Sequence, residues 1–370
     1  MSATALADLL PEGLRPFLAA ALRRPKSPER RATCERCAMC APAGTTAPAA
    51  GTLASFRPDA KCCTYHPALP NFLVGALLAD DDPALAEGRR RMLERIEQGI
   101  GVDPVGVAAP APAQRLHQHG APAFGRSTAL LCPYFDRARG SCTIWRYREA
   151  VCATYYCKLE EGKDGAELWN AVKRYLIELE DAVIEHVLLE LGFDGGARRR
   201  LRAHKAALDA DELDGRPPGP EAARERWGPW HRRETELFRR AHEIARALSP
   251  ADVAALLGVR GRACLDEIGR HLDLIDNRRV PDPLRLAPQL HLTVDGDSHV
   301  VLVTYSPNDP LRLRRALFDE LRAFDGRRSN AEALDTIAER SGMRLSAELL
   351  LALHRTRILV SAASSVAALR

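Results

Sequence analysis

Apolar positions recur at three- and four-residue steps in several stretches of the chain, a pattern typical of amphipathic helices. The longest stretch covers residues 168–191. Shorter stretches predict a helix over residues 11–24 and a second helix over residues 82–101. Residues 103–125 are rich in proline, glycine and alanine, so we predict a long ordered loop there.

The second half of the chain begins with further helical periodicity and then shows a strand pattern. After a Pro/Gly-rich linker at residues 214–220, apolar periodicity predicts helices over residues 221–248 and 250–276. The segments LHLTV, DGDS and HVVLVTY then predict a β-hairpin. Three further helical segments follow, and a capping box from Ser329 to Glu332 opens the second of them: residues 311–324, 330–340 and 347–356.

These elements predict a mainly α-helical fold with long loops and a small α+β domain at the end. A length of 370 residues leaves room for two or three domains. We divide the chain into an N-terminal helix and linker, a metal-stabilised cysteine-cluster domain, a helical region and a small α+β domain: residues 1–31, 32–160, 161–280 and 283–370.

Composition narrows the classes of function. The chain is 46% hydrophobic, yet no window approaches the ~18 uninterrupted apolar residues that a membrane span needs, so we expect no membrane partner. The net charge is only +4, and the basic runs at residues 23–31 and 198–202 are short and lack interleaved aromatics, so nucleic acid is not indicated. The N-terminal basic cluster follows the apolar stretch, unlike a secretory signal, and we therefore expect a cytoplasmic protein.

Ten cysteines are the most informative feature, because all but Cys264 come before residue 158. In a reducing compartment, closely spaced cysteines are more often metal ligands or redox thiols than structural disulfides. Disulfides or free core thiols are the alternative. The nine candidate metal ligands are Cys34, Cys37, Cys40, Cys62, Cys63, Cys132, Cys142, Cys152 and Cys157.

The spacing of these cysteines suggests two centres. CERCAMC places three thiols at three-residue steps, which a short loop can fold around one centre if a fourth ligand comes from elsewhere; Cys132 is one candidate. The adjacent Cys62 and Cys63 point in different directions if the backbone is extended, so one can serve each centre. Nine thiols exceed the eight that two four-coordinate sites require, which leaves one spare, bridging or reactive.

The cysteine block resembles the YkgJ-type cysteine-cluster family, described as a zinc- or iron-chelating domain. The matching features are the opening CERCAMC, the CP segment at Cys132, and the run from Cys142 through Ile144, Trp145, Arg148 and Cys152 to Cys157. The sequence departs from the family at Ala41, where a doubled cysteine would continue, and at Glu149, where proline is usual. The resemblance covers about residues 32–160 and implies metal binding without implying a reaction.

The number and spacing of the thiols do not identify the metal. Structural zinc and an iron–sulfur cluster use the same four thiolates, and the cluster adds electron transfer. The cofactor is therefore Zn²⁺ or iron, with an iron–sulfur cluster among the iron alternatives. The function predicted is a metal-binding or structural module, and the alternative is an iron–sulfur redox enzyme or electron carrier acting beside Arg148 and Tyr155.

Several other residues have a structural interpretation that we prefer. His66 is either an additional ligand or a loop hydrogen-bonder, and His117 and His119 are interpreted as solvated loop residues. Cys264 is predicted to be a buried core thiol. The carboxylates of the long helix are interpreted as a solvated face: Glu178, Glu180, Asp181 and Glu185. Arg148 either neutralises a cluster or stacks on a ring.

The end of the chain resembles, more weakly, the PqqD-type small domain. The matching features over residues 286–359 are HVVLVTY, LFDELRAFDGRRS, a capped helix and RILV. The resemblance implies a hairpin followed by three helices with a winged-helix character, and a protein or peptide partner that adds to the sheet edge. An ordinary helical packing domain and a DNA-binding winged helix are the alternatives, the latter supported only by Arg312, Arg314 and Arg315.

Overall fold

Helices dominate the chain, and its strands form small antiparallel sheets. The structure is a computed structural model that describes residues 4–35, 37–40, 56–120, 123–196 and 210–363. The segment APAGTTAPAAG at residues 41–51, whose small residues and lack of periodicity predict a loop, and the basic run at residues 198–202 lie outside the described residues. None of the helices in these ranges combines the length and the apolar composition needed to cross a membrane.

The helices of the described ranges agree in the main with the apolar periodicity. They are α1 (Asn71–Ala79), α2 (Ala86–Gln98), α3 (Ala111–His119), α4 (Ala150–Thr154), α5 (Gly162–Glu190), α6 (Ala210–Leu213), α7 (Pro220–Trp227), α8 (Glu234–Arg246), α9 (Pro250–Asn277), α10 (Arg315–Glu320), α11 (Asn330–Ser341) and α12 (Ala347–Arg355). Short 3₁₀ turns connect several of them.

The strands are short outside the last domain and pair antiparallel. They are β1 (Thr4–Ala5), β2 (Pro25–Lys26), β3 (Leu69–Pro70), β4 (Val102–Asp103), β5 (Gly106–Val107), β6 (Phe135–Asp136), β7 (Ser141–Cys142), β8 (Leu284–Leu286), β9 (His291–Asp295), β10 (His299–Val303), β11 (Leu311–Arg314) and β12 (Leu359–Ser361). The sheets are β1–β2, β3–β5–β4, β6–β7, β8–β12 and β9–β10–β11.

Helix α5 is the central element of the larger of two hydrophobic cores. Its apolar stripe, including Leu168, Val172 and Leu179, is completely buried, and it packs mainly against α9 and α4. Residues from Leu6 to Ile275 share this core, which we call the main lobe. Burial of such a stripe contributes about 1.5–3 kcal/mol per large apolar side chain, so packing rather than helix propensity stabilises α5.

Helices α1 and α8 cross closely in the main lobe, and a glycine makes this crossing possible. A Cβ atom at Gly75 would lie 1.8 Å from the backbone carbonyl oxygen of Phe238. Helix α1 is buried on all sides, which is why its short apolar run has no clear helical face in the sequence.

Residues 281–363, which we call the tail domain, have a separate core. Strand β10 pairs with β9 on one side and β11 on the other, with Val300 opposite Val294 and Leu302 opposite Leu292. Helices α10, α11 and α12 cover one face around the fully buried Leu302, Leu321 and Ile337. The hairpin prediction is confirmed, and so is the capping box of Ser329 and Glu332 at the start of α11.

Three predictions of regular structure are wrong. Residues 11–24 form two 3₁₀ turns, Arg15–Phe17 and Ala20–Arg23, because prolines interrupt the segment; Leu14, Phe17 and Leu22 are nevertheless buried. The loop predicted over residues 103–125 contains α3. The helix predicted over residues 311–324 begins with strand β11, since pairing with β10 overrides the local pattern.

Two helices of the main lobe are interrupted where glycine adopts a conformation that other residues avoid. The helix predicted over residues 221–248 is divided into α7 and α8 near Gly228, which has φ +53°. Helix α9 is kinked at Gly258, with φ 54° and ψ −136°.

Candidate metal centre

Seven of the nine candidate cysteines lie in irregular segments, Cys142 ends β7 and Cys152 lies in the middle of the short helix α4; none of them forms a disulfide. Backbone hydrogen bonds bring distant segments together. The N–H of Cys132 donates to the carbonyl of Cys63 at 2.8 Å, and Cys142 pairs with Phe135 in the β6–β7 hairpin. The bond between Cys132 and Cys63 joins residues far apart in the chain, so local sequence pattern does not predict it.

Four thiols form what we call the inner set: Cys63, Cys132, Cys142 and Cys152. Burial raises the pKa of Cys132 to about 12, and the neighbouring Cys142 contributes to the rise. The pKa of Cys152 is raised by burial, and then by the charges of Glu149, Cys132 and Cys142. Cys132 is buried and the other three residues are half-buried. The inner set therefore lies in the interior, within mutual electrostatic range.

Five thiols form the outer set: Cys34, Cys37, Cys40, Cys62 and Cys157. Burial raises the pKa of Cys40 to about 12, and a side-chain hydrogen bond with Cys37 adds to it. Burial of the thiol raises the pKa of Cys34 to about 11 although the residue as a whole is exposed, and Cys62 and Cys37 contribute. The pKa of Cys157 is raised to about 11 by burial, with Cys37 and Cys62 as neighbours.

The consecutive residues Cys62 and Cys63 join the two sets. Their backbone is a turn, with Lys61 at φ 51°, and not the extended form that would point them apart. A side-chain hydrogen bond connects the two thiols, and it lowers the pKa of Cys62 to about 7 while raising that of Cys63. The pair therefore joins the two sets, with one member in each, and the charge of Cys62 also raises the pKa of Cys142 in the inner set.

Arg148 and Lys61 are two of the cations that lie near the thiols. The Arg148 guanidinium stacks on the Trp145 ring, 3.3 Å from its centroid, and donates to the carbonyl of Cys152 at 3.2 Å. Its charge contributes to the lowered pKa of Cys62 and opposes the burial that raises the pKa of Cys142. The stacking considered for Arg148 is confirmed, and its neutralisation of a metal cluster stays a prediction. Lys61 was missed by sequence analysis, although it directly precedes Cys62 and Cys63.

Lys61 connects two segments of the cysteine region, residues 31–40 and 56–161, by hydrogen-bonding to their backbone carbonyls. Its ammonium donates to the carbonyls of Cys34 at 2.8 Å and Gly140 at 2.5 Å. Its charge opposes the burial that raises the pKa of Cys34 and Cys40, and it contributes to the lowered pKa of Cys62. A positive charge in this position favours thiolate over thiol, as metal binding requires.

The chemistry of the donors fits a metal that prefers sulfur, but the arrangement of the donors is not that of a coordination sphere. Among the described residues, no group of three or more His, Cys, Asp or Glu side chains is arranged to hold a metal ion. Thiols whose pKa lies near 11 or 12 retain their protons at neutral pH, so a metal would have to displace those protons as it binds.

Glu149 explains one departure from the YkgJ pattern. Its buried carboxylate caps α4 by accepting the N–H groups of Val151 at 2.6 Å and Cys152 at 2.9 Å. Proline at this position would give the backbone the same extended conformation before the helix, but it has no side chain that could cap the helix. The carboxylate thus orients the turn that carries Cys152.

Glu180 is not on a solvated face, contrary to the prediction for the carboxylates of α5. Its side chain is buried and accepts the Ala150 N–H at 2.8 Å. Burial raises its pKa well above the ordinary value, and the charge of Glu149 adds to that rise. The carboxyl is buried because α4 crosses α5 at this point.

The histidines and Cys264 have structural roles. The Nε2 of His66 is 2.9 Å from the carbonyl oxygen of Leu131, so His66 hydrogen-bonds to the segment that directly precedes Cys132. His117 lies on α3 rather than in a loop and makes an edge contact with Tyr65 at 5.2 Å; His119 is the last residue of α3. Cys264 is half-buried and packs at the border of the main core.

In comparisons with known proteins, no family model, curated protein or solved structure matches the chain.

Proposed function

We propose that this chain binds zinc or iron through its cysteines and acts as a binding or structural module in the cytoplasm. The observation that carries the proposal is the convergence of nine thiols from four separate segments into two sets that meet at Cys62 and Cys63. The absence of disulfides among the described cysteines supports a reducing compartment.

The resemblance to the YkgJ-type family supports the same proposal. The inner set contains four thiols, the number that a closed structural zinc site uses. The outer set contains five, so one thiol exceeds a four-coordinate site. Binding would draw the thiols of each set together and release their protons, and the binding energy would stabilise the surrounding irregular segments as a metal-stabilised domain.

The test is elemental analysis of full-length protein purified anaerobically, together with two serine variants and a matched control. Cys152→Ser in the inner set and Cys157→Ser in the outer set are each expected to lower the ratio of metal to protein. Cys152→Ser should also destabilise the main lobe by several kcal/mol in a thermal melt, because metal affinity is linked to folding. Cys264→Ser, remote from both sets, should retain the wild-type metal content.

Two outcomes would contradict the proposal. One is wild-type protein without stoichiometric metal even after anaerobic reconstitution with Zn²⁺ or Fe²⁺. The other is unchanged metal content and melting in both Cys152→Ser and Cys157→Ser.

The second candidate function is an iron–sulfur electron carrier or redox enzyme at the outer set. Two observations favour it: Tyr155 is partly exposed beside Cys62 and Cys157, and Arg148 supplies a positive charge. A brown protein that absorbs near 400 nm would support this candidate. A colourless protein with stoichiometric zinc would contradict it.

We also propose that the tail domain recruits a protein or peptide, as the PqqD resemblance implies. In the described part of the chain, β9 pairs only with β10, and its Leu292 and Val294 are exposed. An extended peptide needs such an edge. Native mass spectrometry of the wild-type protein, purified from its own cells, should detect a bound peptide or protein chain. The Thr293→Pro variant should lose that chain. Wild-type protein with no bound chain would contradict the proposal.

A further inference from the structure

A buried ionic network connects the segment before Cys34 with the segment after Cys157. The ammonium of Lys26 lies 2.9 Å from Glu29 Oε1 and 2.9 Å from Glu161 Oε2, and all three side chains are less than a tenth exposed. The second carboxylate oxygen of Glu29 accepts the N–H of residue 160 at 2.7 Å. The two ends of the cysteine region are therefore held side by side in the interior of the main lobe.

The tail domain contributes the last member of this network. Asp309 is completely buried, and Arg31 donates to both of its oxygens, at 2.5 and 3.2 Å. The Lys158 ammonium and the Leu159 N–H lie 3.5 Å from the same carboxylate, and the Tyr305 hydroxyl donates to it. Two segments of the main lobe and one of the tail domain thus meet at Asp309.

The partners of Asp309 flank the outer set in sequence. Arg31 is three residues before Cys34, and Lys158 directly follows Cys157. The neighbouring Asn308 donates a side-chain amide N–H to the hydroxyl of Tyr155 at 3.1 Å. Tyr155 is two residues before Cys157. One loop of the tail domain therefore contacts both segments that carry the first and last thiols of the outer set.

The charges in this network balance. It contains three cations and three carboxylates: Lys26, Arg31, Lys158, Glu29, Glu161 and Asp309. A buried carboxylate is costly unless its partners are in place, and removing one partner of a buried pair is strongly destabilising. Tyr305 and the Leu159 N–H supply hydrogen bonds to Asp309, and the charge of the carboxylate is compensated by Arg31 and Lys158 together.

We propose that Asp309 is a positioning residue for the outer set: by binding Arg31 and Lys158 together, the docked tail domain adds to the direct contacts between the two segments and restricts the separation of Cys34 from Cys157. The role of the outer set as a metal site rests on the proposed function, but the positioning does not need a metal. By linkage, a ligand that draws the outer thiols together also favours the docked tail domain.

The test measures the alkylation rate of each cysteine by iodoacetamide in full-length, chelator-treated protein, with mass spectrometry to resolve the sites. Asp309→Asn keeps the shape of the side chain and removes its charge. We expect alkylation of Cys34 and Cys157 to become about tenfold faster, because loss of the pair lets the segments separate transiently. The inner Cys132 and Cys142 should react at the wild-type rate.

Asp164→Asn is the matched control. Asp164 pairs with Arg357 of the tail domain at 2.8 Å, so this variant also weakens docking, but the pair does not touch the outer set. It is expected to change the alkylation of Cys34 and Cys157 less than twofold, as is typical for a partly exposed ion pair. Equal effects of Asp309→Asn and Asp164→Asn would overturn the proposal, as would an unchanged rate in folded Asp309→Asn.

If circular dichroism shows that Asp309→Asn does not fold, Arg31→Lys replaces it, since Lys keeps the charge and loses the two-pronged hydrogen bond. Faster alkylation of the outer set in this variant supports the positioning role, and a wild-type rate contradicts it. Metal analysis of the same samples separates the two ideas. Protein that never binds metal but shows the alkylation difference refutes the metal proposal and leaves the positioning role standing.

Discussion

Different interactions stabilise the backbone of the tail domain and that of the cysteine region, residues 31–40 and 56–161. The tail domain has strands of three to five residues, a capping box on α11 and its own apolar core. The strands of the cysteine region have two residues each, and cationic side chains hydrogen-bonded to backbone carbonyls connect its loops. Arg91, for example, donates to the carbonyls of Pro133 and Phe135.

The difference indicates where each region is vulnerable. Apolar burial tolerates modest changes of shape, whereas a buried charge requires its partner. We therefore expect the cysteine region to depend on a few polar residues, and the tail domain to depend on the volume of its core. Three substitutions test this contrast.

The largest effect is expected for Lys26→Met. It leaves the carboxylates of Glu29 and Glu161 buried without their cation, which should destabilise the main lobe by about 3–5 kcal/mol in urea denaturation. Lys163→Met is the control, because Lys163 pairs with Glu167 at 3.3 Å on the surface and should cost less than about 1 kcal/mol. Equal effects of the two variants would mean that the buried network does not stabilise the cysteine region.

A somewhat smaller effect is expected for Leu302→Ala in the tail domain. Leu302 is completely buried, and truncation in a core of this kind costs about 2–5 kcal/mol. Because the tail core is separate, hydrogen exchange should accelerate in β9, β10 and α11 while α5 keeps its protection. Leu176→Ala in α5 should give the reverse pattern. Acceleration throughout both lobes in either variant would show that they unfold as one unit.

The smallest effect is expected in the pH dependence of the main lobe. The pKa of Glu180 is raised by burial, so the folded state binds a proton more tightly than the unfolded state. Its contribution to stability is therefore full below the ordinary pKa near 4.5 and is lost as pH rises through the folded value. Gln mimics the protonated carboxyl, so Glu180→Gln should lose less stability than wild type between pH 5 and pH 8 in thermal melts.

Glu178→Gln, a partly exposed position on the same helix, is the control for that experiment and should melt like wild type at both pH values. A steeper loss of stability in Glu180→Gln than in wild type would contradict a raised pKa for Glu180. Glu332 in the tail domain shifts in the opposite direction: hydrogen bonds from Ser329 lower its pKa, so acid should weaken that cap.

The sequence predicted elements well where a local pattern determines them. Helix α5 has a continuous apolar stripe, and the β9–β10 hairpin has turn residues between two apolar runs. It failed for α1, which is apolar on every side, and for β11, whose strand conformation depends on pairing with β10. In the candidate site it identified the thiols but missed Lys61 and the burial of Glu180, which depend on segments far apart in the chain.

By itself, the amino-acid sequence determined which chemistry is available: nine thiols at close spacings, a cation beside them, and amphipathic stretches long enough to build a core. Only the tertiary structure decided how those thiols divide, which of them meet at Cys62 and Cys63, and that Asp309 of the tail domain lies between Arg31 and Lys158. The physical reason is the distance along the chain over which each interaction acts. Periodicity and capping act within a few residues, whereas electrostatic pairing of buried groups depends on distances that arise only after the chain has folded.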